Sequence, residues 1–241
     1  MQRTRLDKFI SQKLAISRRD VRLMLAQKRV LVDGQVAENI GQIVDKFSYI
    51  RFDDKILSQQ CAYYLMLSKP KGVVCATKDD EHTTVIDLLD NTQFPFKSHL
   101  HIVGRLDKNT TGLVLLTNNS EWAESITQPE HKIDKHYLVT VQNPLDEHYI
   151  DAFANGMYFG YENITTLPAK MLITSTYQAQ VWLKEGKYHQ IKRMFGRFQN
   201  PVIQLHRQAI GDLSLDNNLA VGEARHLTQA EVNLFGSSNQ P

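Results

Sequence analysis

GRLDKNTTGLVLLTNNSEW, residues 104–122, joins a glycine-led polar loop to a run of β-prone apolar residues, and the larger part of this 241-residue chain can be read outward from it. Its LVLLT run, residues 113–117, reads as a buried strand, because apolar residues follow one another without interruption. The loop before the strand carries Arg105 and Asp107, and a polar loop set on a rigid scaffold is where reactive groups are commonly presented. Taken alone, Asp107 followed by Asn109, Thr110 and Thr111 reads more simply as a turn whose short polar side chains bond their own backbone.

Further strand candidates lie on both sides: YYLML at 63–67, YLVTV at 137–141, AQVWL at 179–183 and PVIQLH at 201–206. Helical segments are expected between some of them. Near the end, TQAEVNLF offers a Thr228 to Glu231 capping box followed by Val232, Leu234 and Phe235. The pattern predicts an α+β fold with a predominantly antiparallel sheet. With 42% hydrophobic and 22% charged residues, the composition is that of an ordinary globular protein rather than a disordered or fibrous one. No apolar run approaches the roughly 18 residues of a membrane span, and the first residues alternate charge with single apolar positions, unlike a signal peptide. A cytoplasmic protein without membrane association is expected. Cys61 and Cys75 match neither a metal knuckle nor a disulfide framework.

Charge is unevenly placed. Residues 1–55 hold 12 Lys and Arg against 7 Asp and Glu, while the remainder holds 16 against 19. A basic head attracts polyanions, although a small excess equally fits a solvated helix face. Within that head, Leu6, Phe9, Ile10 and Leu14 recur at helical spacing, with Arg5, Lys8, Gln12 and Lys13 opposite. Ser17, Arg18, Arg19 and Asp20 fit a capping box that opens a second helix reaching about Gln27 and displaying Arg18, Arg19 and Arg22. VLVDGQV, residues 30–36, places Asp33-Gly34 between two β-prone pieces, the signature of a tight hairpin. The stretch RLDKFISQKLAISRRDVRLMLAQKRVLVDGQV resembles the alpha-L RNA-binding module of a small-subunit ribosomal protein and of many RNA-modifying enzymes. That resemblance implies an RNA-contacting face of Ser17, Arg18, Arg19 and Arg22. DDKILSQQCA, residues 53–62, is polar and aperiodic and reads as a linker, giving a small helical module at 1–58 and a catalytic domain at 59–241.

GRLDxxTTGLxLLTN resembles the signature loop of the pseudouridine synthases that modify ribosomal RNA. Four further stretches fall in that family's order: YYLMLSKPKGVVCAT from Tyr63, KHYLVTV from Lys135, KEGKYHQIKRMF from Lys184 and VIQLHRQAIGDLSL from Val202. Asn119-Ser120 stands where the family usually has Asp-Gly, a departure at a turn rather than at the chemistry. VCATKDDEHTTV, SITQPEHKIDKHYLVTV and LHRQAIG are most similar to the enzyme acting on small-subunit (16S) ribosomal RNA.

The resemblance implies a role for each residue. Detaching a uracil from its ribose, turning it and rejoining it through carbon calls for covalent help, which a carboxylate can supply. Asp107 is the implied nucleophile, attacking either the ribose or the pyrimidine ring. Lys192 is implied as its charge partner, with Arg193 the neighbour able to take that place; the plainer reading of both is a basic face touching phosphate. Tyr137 is implied beneath the target base, a stacking surface whose hydroxyl assists proton transfer, where a strand tyrosine is otherwise a core residue. Arg105 is implied to contact phosphate or fill the gap left by a flipped base. Leu205 either walls the uracil pocket or is a plain core residue. The histidines show no metal-ligand spacing, and neither metal nor cofactor is expected. The expected partner is ribosomal RNA or a partly assembled small subunit, and the expected state is a monomer. Two rivals are a large-subunit specificity and a binding-only assembly factor. A carboxylate hydrolase would want a second acid near the GRLD loop, where none announces itself.

Overall fold

Leu6, Phe9 and Ile10 share one face of helix α1 (Leu6–Leu14), Val21 and Leu25 share one face of α2 (Arg18–Ala26), and all five are buried. Positions three and four apart stack on one side of a helix, so the two helices close on each other through these residues. The computed structural model describes residues 3–235, and the chain divides after Ala62 into two compact units.

In the first unit Ser17 caps α2. Its hydroxyl accepts from the Asp20 amide at 3.2 Å and donates to the Asp20 carboxylate at 2.6 Å. The reciprocal box expected there is half made, because the carboxylate takes the hydroxyl instead of the Ser17 amide. Val30–Val32 and Gln35–Val36 pair across Asp33 and Gly34, whose φ values of 52° and 82° are those of a mirror-image turn matching the strand twist. These strands join Ile50–Phe52 and Lys55–Ser58 in a four-stranded sheet. Lys55–Ser58 occupies the segment the sequence marked as linker. A turn at Asp53, φ 49°, folds it back, and Leu57 alone is buried while its apolar neighbour Ile56 is exposed, so two adjacent apolar residues leave no alternating signal.

The second unit is built on a sheet whose main path runs Lys170–Ser175, Gln178–Leu183, Lys135–Val141, Val202–Ile210, Thr111–Thr117, Tyr64–Lys69, Ala224–His226. Neighbours on that path are antiparallel except Val202–Ile210 beside Thr111–Thr117, which are parallel. The fold is therefore α+β with a predominantly antiparallel sheet. Helices α3 (Ser120–Thr127), α4 (Glu147–Asn155), α5 (Gln190–Gly196) and α6 (Gln229–Asn233) cover parts of it. Leu113 to Leu116 are wholly buried because both faces of their strand are covered. Val114 and Leu116 pack with Val73, Phe94 and Leu106, whereas Leu113 and Leu115 pack with Trp122 of α3 and Val232 of α6. In the other half of the sheet, Val139 and Val181 bury against Phe153 of α4 and Phe195 of α5.

The N-termini of α3, α4 and α6 are capped by short polar side chains. Asn119 accepts from the Trp122 amide at 3.3 Å and donates to the Tyr64 hydroxyl at 2.9 Å, so the departure noted at Asn119-Ser120 is an N-cap. Thr228 and Glu231 form the full capping box expected of α6.

Candidate active site

The parallel strand pair fixes the position of the GRLD loop. Gly112 pairs with Arg207 at φ 104°, and a Cβ there would lie 2.2 Å from the Arg207 carbonyl oxygen, so only glycine permits this approach. Two buried cations then hold the loop. Arg207, 2% exposed, donates from Nε to the Leu113 carbonyl at 2.8 Å and from Nη2 to the Gly104 carbonyl at 2.9 Å. Lys69, 1% exposed, donates to the carbonyls of Pro70, Lys108 and Thr110 at 3.0, 3.1 and 2.8 Å. Burial pushes the Lys69 pKa down, offset only in part by Cys75 and Asp107. Leu106 anchors the middle of the loop in the core, with its amide donating to Cys75 Sγ at 3.3 Å. The Asp107 carbonyl accepts from the Thr110 amide at 3.0 Å. The turn that the residues suggested by themselves is therefore present, and it carries the carboxylate.

Asp107 is partly exposed at the wall of a cavity of about 550 Å³. Lys192 Nζ donates to its Oδ2 at 2.8 Å, and His189 Nε2 lies 3.4 Å from Oδ1. Tyr137, Leu205, Arg105 and Thr110 also line the cavity. Tyr137 is half-buried where two of this unit's buried clusters meet, Leu205 is 7% exposed and belongs to one of those two, and Arg105 is exposed. Five of the residues singled out in this unit thus surround one space.

Arg193 does not pair with Asp107, although it follows Lys192 directly. Successive helical residues point in different directions. Its guanidinium instead donates to Glu162 from Nη1 at 2.6 Å and from Nη2, lies 3.8 Å from the centroid of the Phe159 ring, and reaches the Tyr188 carbonyl at 3.3 Å. Glu162 raises the Arg193 pKa, and Arg193 in turn lowers that of Glu162. In the first unit, Ser17, Arg18, Arg19 and Arg22 are all exposed at the start of α2, while Arg29 is held by Asp53.

Three residues of this site carry no mark of a role in the sequence patterns above: Lys69, Arg207 and His189. For Arg207 a signal existed. Along VIQLHRQAI it alternates with Leu205 and Ala209, all three buried, so an arginine sits on an inward-facing strand position and must have internal partners.

Similarity to known proteins agrees with this geometry. Residues 63–196 match the family model described as RNA pseudouridylate synthase, and residues 4–48 match the S4 domain. Ribosomal small subunit pseudouridine synthase A of Pseudomonas aeruginosa is 43% identical over 95% of this chain and 98% of its own. The enzyme of that name from Escherichia coli is 41% identical over 95% and 98%. A crystal structure of a pseudouridylate synthase superposes with a TM-score of 0.69 at 39% identity, covering 96% of this chain and 99% of that one. With a model spanning the Asp107 loop and the Lys192 helix, and relatives alike nearly from end to end, the chain belongs to the RNA pseudouridylate synthase family.

Proposed function

We propose that this chain isomerises a uridine of small-subunit (16S) ribosomal RNA to pseudouridine, with Asp107 as the nucleophile. The observation that carries this reading is the Asp107–Lys192 ion pair at 2.8 Å, facing a cavity lined by Tyr137 and Leu205. The name shared by relatives about 40% identical supports the choice of small-subunit RNA.

A base paired within RNA is out of reach of a recessed carboxylate, so the uridine is flipped into the cavity, with Arg105 at the rim to meet phosphate or take the vacated space. The Asp107 carboxylate attacks either the ribose or the uracil ring, and the bond it forms breaks again once the base is rejoined, which returns the free carboxylate. The N1–C1′ bond breaks, a C5–C1′ bond forms, the proton on C5 leaves and N1 gains one, so product and substrate have the same atoms. Lys192 keeps the carboxylate charged and aimed. Tyr137 stacks on the pyrimidine and its hydroxyl assists the proton transfer, while Leu205 walls the apolar side. Exposed Ser17, Arg18, Arg19 and Arg22 contact RNA from the S4 domain. Arg193, bound to Glu162, positions the turn before α5 and presents the remaining face of its guanidinium to RNA. We take the substrate to be ribosomal RNA or a partly assembled small subunit, and the enzyme to work as a cytoplasmic monomer. Among the described residues no helix is long and apolar enough to cross a membrane.

The test is mass-spectrometric mapping of pseudouridine in ribosomal RNA from cells lacking the protein. Loss of a small-subunit pseudouridine that wild type restores supports the proposal. An unchanged small-subunit map contradicts it, and a loss in the large subunit would move the specificity there.

A further inference from the structure

Tyr188 is 74% exposed, an unusual setting for an aromatic ring held so firmly. Its ring stacks on His189 with centroids 3.9 Å apart and planes 20° from parallel. His189 adopts φ 50°, a left-handed backbone that few residues other than glycine adopt without outside support. The surroundings enforce it. The Tyr188 carbonyl accepts from Arg193, which is itself locked by Glu162 and Phe159. On the other side, the Lys187 amide donates to Gln190 Oε1 at 3.1 Å, and Gln190 Nε2 donates to Glu185 at 2.7 Å. A pre-set turn thus displays one aromatic face outward while its other face lies on the histidine, whose Nε2 faces the Asp107 carboxylate. Tyr161, also exposed, shares none of this: it is absent from the cavity wall, whereas Tyr188 lines it.

We propose that the outer face of Tyr188 is a stacking subsite for an unpaired base next to the target uridine, with the Tyr188–His189 stack spanning from that neighbour to the nucleophile. Nucleobases stack on exposed aromatic rings without regard to sequence, and a ring already fixed in place loses little freedom when it is covered. Flipping the uridine leaves its neighbours unstacked on that side, and Tyr188 offers a replacement surface. Arg105, exposed on the cavity wall, is a cation suited to the accompanying phosphate, while Lys187 on the same wall lies 3.5 Å from Glu185. The subsite rests on the proposed reading of Asp107 as the centre where the uridine reacts.

The test is a double-mutant cycle read in binding, using an RNA fragment spanning the mapped uridine and versions with an abasic nucleotide at the 5′ or 3′ neighbour. Tyr188→Ala is expected to weaken binding of the intact fragment about 10-fold, within the range for loss of one base–aromatic stack, and Tyr188→Phe to preserve it. With the abasic fragment at one of the two positions, the alanine effect is expected to vanish. Equal losses on the intact and both abasic fragments, or no loss at all, would overturn the subsite. Because the cycle is read in binding, it judges Tyr188 separately from product formation, which judges Asp107.

Discussion

Asp107 and Lys192 are 85 positions apart in sequence and meet at 2.8 Å because a loop clamped by two buried cations faces the start of a short helix. This ion pair is partly exposed at a cavity wall, where such pairs contribute little to stability, so the consequence of removing it is expected in turnover rather than in folding. Lys192→Ala should lower the single-turnover rate by roughly 10²-fold, the scale of losing one preorganised electrostatic partner, with RNA affinity nearly unchanged. A loss of affinity with the rate intact would assign Lys192 to phosphate contact. Asp107, Tyr137 and Lys192 were legible in the sequence only through a family resemblance, because a carboxylate in a polar turn has no local mark of reactivity. Lys69 was not legible at all: a lysine closing an apolar strand looks like its solvent-facing end, and only the three carbonyls converging on it reveal the clamp.

At the scale of elements, the cap of α6 joins a wider network. Arg225 binds Glu231 at 2.7 Å and Asp216 at 2.7 Å, while the Glu231 carboxylate also accepts from the Thr228 amide at 2.8 Å. The hydrogen bond from Arg225 holds the Glu231 pKa down at about 2, against an ordinary 4.5. A depressed folded-state value means the stabilisation is full above pH 4.5 and is lost as pH falls toward 2. Glu231→Gln should therefore destabilise the protein by about 2 kcal/mol at pH 7, typical of hydrogen bonds to a charged group. The difference from wild type should shrink as unfolding is followed down through that window. A difference independent of pH would mean the carboxylate's charge is irrelevant. This capping box was readable because it is local, as were the five strand cores, whose apolar runs exceed any competing period. What escaped was non-local or weakly apolar. Lys170–Ser175 is an edge strand with one buried residue, Met171, and Lys55–Ser58 has only Leu57. The parallel pairing of Thr111–Thr117 with Val202–Ile210 leaves no trace in periodicity, since side-chain alternation is the same in either direction.

For the whole molecule, the sequence places a basic head before a mildly acidic body, and the structure divides the chain after Ala62. Arg18, Arg19 and Arg22 are exposed on one end of α2, whereas the candidate chemistry lies wholly in the second unit. Affinity and turnover should therefore separate. Removing one phosphate-binding cation flattens the plot of log affinity against log salt by about 0.7–0.9. Replacing the three arginines by glutamine should flatten it by about two units and weaken binding to ribosomal RNA regardless of sequence, with the single-turnover rate at saturating enzyme preserved. An unchanged salt slope would remove α2 from the RNA interface.

The proposed isomerisation depends on a bond formed by the Asp107 carboxylate. The most direct measurement is pseudouridine formation on small-subunit ribosomal RNA by purified wild-type protein and Asp107→Asn, with RNA binding measured in parallel. An amide keeps the shape of the side chain but is a far weaker nucleophile. Retained binding with no detectable product from Asp107→Asn is the predicted result, and product from that variant at a rate near wild type would contradict it.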